Sequence, residues 1–184
     1  MLKRFLEWGA AQSRPRFKAF VEAKRRYETY LANRVRARAN PLSPEERRRA
    51  KEDPALQEAV SLYKEAIRLS EEEGAGVDVA AAAFQLGILL HLQGEVEDAA
   101  VMLKRAMAAL EDLPKIERQQ QEIRSSCLYH LGLIAWRERH DADEAARLVR
   151  AALEIHVVMH DVQGQRMCKD ALERLPAAQG QSSG

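Results

Sequence analysis

Apolar residues recur every three or four positions along most of this chain, and no stretch alternates with the period of two that marks a half-buried β-strand. The first apolar stripe lies between Pro15 and Pro41 and consists of Phe17, Phe20, Val21, Tyr27 and Leu31. Proline is tolerated in the first turn of a helix and ends a helix that it enters. The pattern therefore predicts one helix between the two prolines, with its stripe buried.

Capping residues mark the starts of the next two helices. Ser43-Pro44-Glu45-Glu46 is a capping box, in which the serine hydroxyl and the last carboxylate each accept a hydrogen bond from a free backbone N–H. Asp53-Pro54 opens another helix, and the Gly74-Ala75-Gly76 segment ends it. The face of this helix that we expect to be buried consists of Leu56, Ala59, Val60, Tyr63, Ala66, Ile67 and Ser70.

Beyond residue 76 the sequence repeats itself. Residues 83–90 (AFQLGILL) align with residues 128–135 (LYHLGLIA) at an offset of 45, and a short turn follows each segment. A small-large-small pattern follows each turn: Ala99, Leu103 and Ala106 in the first copy, and Ala145, Val149 and Ala152 in the second. The helix after Asp53 carries the same pattern, and a final helix from about 163 to 175 places Leu172 at an offset of 41 from Leu131.

This pattern resembles the tetratricopeptide repeat family, over roughly residues 54–175. The Leu-Gly pair of the first helix and the Ala-x-x-x-large-x-x-Ala pattern of the second are the marks of the resemblance. The spacing of 41 to 46 residues exceeds the usual ~34, so we expect longer helices. In the last helix Glu173 stands where glycine is expected and Pro176 follows, which is typical of a terminal cap. The resemblance implies an all-α fold: a short right-handed solenoid of helical hairpins preceded by a basic helical arm.

The physical chemistry of two glycines agrees with this resemblance. Gly87 and Gly132 lie inside predicted helices, where glycine costs about 1 kcal/mol relative to alanine. That cost is tolerable where a neighbouring helix crosses so closely that a β-carbon would clash. The alanines expected to allow the same approach from the second helices are Ala99, Ala106, Ala145 and Ala152.

Composition narrows the fold class and the location. The chain has 30 Ala and 21 Leu but only 18 β-branched residues, which favours helices over a β-sandwich or barrel. Two cysteines exclude a disulfide framework, and no apolar run approaches the roughly 20 residues that span a bilayer. The opening residues lack the apolar core of a secretory signal peptide, so we expect a cytoplasmic protein.

The net charge of +1 conceals a division between two regions. Residues 1–52 hold 15 basic and 6 acidic residues, whereas residues 53–184 hold 14 basic and 22 acidic residues. We therefore predict a basic N-terminal helical arm (1–52), a repeat domain (53–176) and a disordered tail (177–184). The basic arm residues singled out are Lys3, Arg4, Arg14, Arg16, Lys18, Lys24, Arg25 and Arg26.

Residues that could carry chemistry have simpler explanations. His156 and His160 lie one helical turn apart, but no third metal ligand is evident, and we interpret them as surface or groove side chains. Cys127 and Cys168 occupy equivalent repeat positions, where a free cysteine packs as a small apolar residue. No pair of carboxylates defines a cleft, and no phosphate-binding motif is present. We predict no enzyme, no metal and no cofactor.

The resemblance implies a binding surface instead. In this family the first helix of each pair lines a concave groove that grips partner segments. Carried over by position, that groove would hold Phe84, Ile88, His91, Tyr129, Leu133, Trp136, Met167, Asp170 and Arg174. Its apolar and aromatic character favours an apolar or amphipathic segment of a partner protein. The Lys and Asn residues with which relatives clamp a chaperone's C-terminal carboxylate do not occur at these positions, which disfavours that subtype.

The basic arm leaves three alternatives open. Its apolar stripe could lie in the groove or cap the first repeat, with the charges of arm and body complementary. Residues 1–9 place Leu2, Phe5 and Leu6 on one face, as in a segment that binds a membrane interface. Nucleic acid could meet the basic residues through phosphates, with Tyr27 or Tyr30 stacking on bases, although the acidic body disfavours this.

We predict a non-enzymatic adaptor or scaffold that binds a protein segment in its groove and could assemble with copies of itself. The alternative is an anionic-surface binder, membrane before nucleic acid, recruited through residues 1–52 and peripheral to a membrane.

Overall fold

The computed structural model describes residues 14–35, 43–111, 113 and 117–175. Within these ranges every regular element is an α-helix, as the sequence predicts. The helices are α1 (Pro15–Val35), α2 (Pro44–Glu52), α3 (Pro54–Glu72), α4 (Gly76–Gln93), α5 (Val96–Glu111), α6 (Arg118–Arg137), α7 (Ala142–Val158) and α8 (Val162–Arg174). The chain divides into two compact units, residues 1–109 and 110–184.

The predicted capping chemistry is confirmed at both positions. The backbone N–H of Glu46 donates to the Ser43 hydroxyl over 3.2 Å, and the N–H of Ser43 donates to the Glu46 carboxylate over 2.7 Å. The Asp53 carboxylate accepts from the backbone N–H groups of Ala55 and Leu56. Because these side chains satisfy the free donors of a helix start, α2 and α3 begin where the sequence indicates.

In the first unit α3 packs between α1 and α4. Its predicted buried face is confirmed, except that Val60 is only half-buried. The ring of Tyr63 is fully buried and meets the ring of Phe20 from α1 edge to face, with centroids 5.7 Å apart. The basic helix therefore packs on the body of the chain, which was one of the alternatives that the sequence leaves open.

The predicted apolar stripe of α1 is wrong in detail. The buried residues are Ala19, Ala23 and Tyr27, while Phe17 and Val21 are 38% and 45% exposed. Small side chains let two helix axes approach closely, so the alanine side of α1 meets α3 and part of the bulky stripe faces outward. The side chain of Leu31 lies outside the described residues.

The first hairpin consists of α4 and α5. A β-carbon on Gly87 would lie 2.9 Å from Cγ of Leu103 and 3.2 Å from the Ala99 carbonyl oxygen, so the two helices touch at this glycine. Ala99 and Ala106 are fully buried beside it. Helix α4 is long and apolar enough to cross a membrane by length and composition alone, which the sequence analysis did not predict. Half of it is buried within the fold, as in a core helix.

The second unit repeats this crossing between α6 and α7, and α8 packs on α7. A β-carbon on Gly132 would lie 2.7 Å from Cγ2 of Val149 and 3.3 Å from the Ala145 carbonyl oxygen. Ala145 and Ala152 are fully buried. Each unit thus contains a helical hairpin closed at a glycine, which is the arrangement of a helical-repeat fold.

Candidate functional site

The predicted groove residues of α6 form a half-buried strip. Tyr129, Leu133 and Trp136 stand four and three positions apart, so they lie on one side of the helix. The Tyr129 ring meets the His130 ring edge to face, with centroids 5.6 Å apart. The guanidinium of Arg137 lies 5.5 Å from the centre of the Trp136 ring, within cation–π range. The strip therefore combines apolar area with an exposed positive charge.

The α8 residues bring further charge to this strip. Met167 is 42% exposed, and Asp170 and Arg174 are exposed. Burial raises the pKa of Tyr129; the negative charge of Asp170 adds to this shift, and the positive charges of Arg137 and Arg174 oppose it. These electrostatic effects show that the structure brings Tyr129 close to the charged residues of α8. Of the predicted groove residues, Tyr129 thus lies within electrostatic range of Asp170 and Arg174, and Arg137, which also acts on Tyr129, contacts Trp136.

Arg137 is a groove-side residue that the sequence analysis missed. It follows Trp136 directly, and adjacent residues of a helix do not normally face each other. The long arginine side chain reaches back over the indole, which no spacing rule indicates. The sequence signal that could have indicated this contact is an arginine directly after the last aromatic residue of the strip.

The remaining three groove residues lie in the first unit. Phe84, Ile88 and His91 are half-buried on α4. A concavity of about 470 Å³ in this unit lies among α3, α4 and α5, with Leu86 and Leu90 in its lining. Two of its lining cations are paired, Arg105 with Glu71 at 2.5 Å and Arg68 with Glu65, whereas Lys64 and Asp98 form no ion pair within the described residues.

The charges of the basic arm are largely paired with acidic residues. Arg16 forms ion pairs with Glu73 and with Asp78, the latter at 2.9 Å, and its side chain is only 13% exposed. Arg14 also reaches Glu73, and Arg26 binds Glu58 on α3 at 2.8 Å. Lys24 and Arg25 pair with acidic residues of α1 itself, and Lys18 is exposed. Lys3 and Arg4 lie outside the described residues, as does the predicted tail 177–184.

The cysteines are inert in this fold. Cys127 and Cys168 are both fully buried and unbridged. Burial raises the pKa of Cys127 to about 12 and that of Cys168 to about 11. Since the thiolate is the reactive form, neither side chain is a nucleophile at neutral pH. The prediction that they pack as small apolar residues is confirmed.

The interpretation of His156 as a surface or groove residue is wrong. His156 is buried at the end of α7, and a β-carbon on Gly164 would lie 2.2 Å from its Nδ1. Nδ1 is 2.9 Å from Oδ2 of Asp161, but the angle between them does not satisfy that of a hydrogen bond. The imidazole fills the space that Gly164 leaves, so it closes the corner between α7 and α8. His160 is exposed in this corner, with a left-handed φ of 55°.

The described residues contain no group of three or more His, Cys, Asp and Glu side chains that could hold a metal ion. What they offer is a surface. The second unit supplies an aromatic strip on α6 edged by charges of α6 and α8, and such a surface can bind a peptide through apolar anchors and a polar rim.

The sequence and the fold of this chain are similar to those of known proteins. Residues 55–112 match the family described as tetratricopeptide repeat. No curated protein matches the sequence. One solved structure to which the chain is similar is that of BtubC (BKLC) from P. vanneervenii, at 18% identity and a TM-score of 0.45. The alignment covers 65% of this chain and 56% of that one, so the chain spans a little over half of that protein's length.

Proposed function

The chain carries tetratricopeptide repeats over residues 55–112, and from that premise we propose that it is a non-enzymatic adaptor that holds an apolar or amphipathic segment of a partner protein. Tetratricopeptide repeats generally mediate protein–protein interaction. The single observation that carries the proposal is the strip of Tyr129, Leu133 and Trp136, which stays half-exposed on a helix whose opposite side is buried.

The chemistry of this strip supports one class of ligand. Aromatic side chains give large contact areas at low entropic cost, and binding energy concentrates on such residues. Arg137 and Arg174 beside the strip favour a segment that carries acidic residues next to its apolar anchors. In the first unit the predicted groove positions Phe84, Ile88 and His91 are likewise half-buried on α4.

The competing function, binding of an anionic surface through the basic arm, has less support. Arg14, Arg16 and Arg26 are engaged by acidic residues of the body, which reduces the positive charge offered to phosphates or lipid. Its remaining basis includes the exposed cations Lys18, Lys24, Arg25, Arg48 and Arg49, together with residues 1–13 and 36–42, which lie outside the described part of the chain.

The test is a capture experiment on full-length protein from native cell extract at low and high salt. A truncation at residue 52 would be a poor probe because it would uncover the buried face of α3. The groove variant is Tyr129→Ala with Trp136→Ala, and the matched control is Val101→Ala, an exposed valine on α5. The arm variant replaces Lys18, Lys24 and Arg25 with glutamine.

We expect a defined protein to be retained at high salt by the wild type, the arm variant and the control, and to be lost by the groove variant. Apolar contacts respond little to ionic strength, whereas contacts between exposed charges are screened. Retention by the groove variant would contradict the proposal. Capture that vanishes with salt and with the arm variant would favour the anionic surface, and vesicles of anionic lipid would then identify a membrane.

A further inference from the structure

The open end of the α6–α7 hairpin, away from the turn that joins the two helices, contains an apolar pocket of about 320 Å³. Its apolar lining comes from Leu128 on α6 and from Ala151, Ile155 and Val158 on α7. The α7 residues recur at positions four and three apart, which makes them a single stripe. Val158 is 69% exposed, and Val157 and Val162, which are close to it in sequence, are 49% and 77% exposed. Three exposed valines thus lie within six positions of the sequence at the end of α7 and the start of α8.

Two opposite charges line the same pocket, Arg124 on α6 and Glu154 on α7. Both are exposed, and neither side chain forms an ion pair or hydrogen bond within the part of the chain that the structure describes. Other charged residues of the same two helices are paired, Arg118 with Glu122 and Arg147 with Glu144, although the exposed Arg150 is not. One positive and one negative charge are thus left over at the edge of one apolar pocket.

We propose that this face binds a second copy of the chain across a two-fold axis. In a two-fold interface the same patch is used twice, so a residue that meets a second residue in the partner is met by it in return. A patch with one unpaired cation and one unpaired anion is self-complementary under that operation. Arg124 of each copy faces Glu154 of the other, and Val158 of each enters the apolar pocket of the other. The net charge of +1 adds little repulsion between copies.

The experiment is sedimentation equilibrium of the full-length chain over a concentration series from about 1 to 100 µM, a range suited to micromolar dissociation constants. The wild type is expected to dimerise within this range. Arg124→Glu and Glu154→Arg each place like charges opposite each other twice and should weaken the dimer about tenfold or more. The double variant Arg124→Glu/Glu154→Arg restores both pairs and should return to within about threefold of the wild type.

A mixture of the two single variants gives the sharpest result. One copy then carries Glu at both positions and the other carries Arg at both, so a two-fold pairing joins opposite charges at both contacts. Two proteins that each self-associate weakly should therefore form a tighter heterodimer when mixed. The other controls are Val158→Asp, which should remove the dimer, and Val101→Asp, which places the same change on an exposed valine of α5 and should not.

Circular dichroism verifies that each variant is folded, which is expected because all four positions are exposed. A wild type that stays monomeric throughout the series would overturn the proposal. So would a dimer whose dissociation constant ignores the charge reversals, or single variants that fail to associate when mixed. The groove variant Tyr129→Ala/Trp136→Ala should dimerise normally, so failure of this interface and failure of the proposed adaptor function give different results.

Discussion

The two hairpins close their helices at the same repeat position but against different side chains. In the first, Gly87 meets Leu103, whose branch point is one carbon further from the backbone; in the second, Gly132 meets Val149, whose branch point is the β-carbon itself. A valine in a helix has one strongly preferred χ1 rotamer, whereas a leucine can move its outer atoms more freely. The same motif position therefore differs in how much a new methyl group would disturb it.

The largest effect is expected from Gly132→Ala. Its β-carbon would lie 2.7 Å from Cγ2 of Val149 with the Ala145 carbonyl behind it, so a helix must move. We expect a net loss of about 2 kcal/mol in the free energy of unfolding, even though alanine favours helices by about 1 kcal/mol. Urea denaturation measures it. A Gly132→Ala protein as stable as the wild type would refute the close contact.

A matched double variant sharpens this result. Val149→Ala removes the methyl group that the new β-carbon meets, so the two substitutions should be coupled. The double variant Gly132→Ala/Val149→Ala should lose about 1 kcal/mol less than the two single losses added together. Simple additivity would show that the loss arises elsewhere.

A smaller effect is expected from Gly87→Ala. The shortest contact, 2.9 Å to the Cγ atom of Leu103, is 0.2 Å longer than the 2.7 Å contact at Gly132, so a smaller shift relieves it, although the Ala99 carbonyl oxygen at 3.2 Å limits how the backbone can move. The gain in helix propensity offsets most of the strain, leaving a net change of about 0 to 1 kcal/mol. The same urea titration compares the two glycines. A loss larger than that of Gly132→Ala would reverse the comparison.

The smallest effect is expected in how stability depends on pH, at the turn between α7 and α8. There the Asp161 carboxylate caps the start of α8, whereas the start of α4 has no side-chain cap. The backbone N–H of Gly164 and the nearby His156 hold the pKa of Asp161 below its usual range. Asp161 therefore stabilises the fold above about pH 4, and this contribution is lost as pH falls through its lowered pKa. Asp161→Asn should make the melting temperature less sensitive to acid below pH 4. An unchanged acid profile would contradict this.

Local rules account for what the sequence could predict. The caps at Ser43 and Asp53 and the paired glycines Gly87 and Gly132 depend on residues close in sequence or on a repeated pattern, and the structure contains them. The all-α class follows from the same signals. The family resemblance then indicated which side of each helix to examine for a binding surface.

The misses share one physical cause, which is that packing is decided by shape as well as by hydrophobicity. On α1 the bulky residues suggested the buried face, but Ala19 and Ala23 allow the close approach to α3. His156 is buried because Gly164 leaves room for its ring, a relation between two helices that no spacing within one helix shows. The unpaired charges Arg124 and Glu154 are likewise visible only when their neighbours are known.

The pairing of α1 with α3 has a consequence for how the protein is made. Arg16 and its partner Glu73 are 57 positions apart, so the first helix leaves the ribosome well before its packing surface exists. At about 5 to 20 residues per second this interval is roughly 3 to 11 s. During that time the small-residue face of Ala19 and Ala23 and the ring of Tyr27 are open to chaperones, and synthesis of α3 ends this exposure.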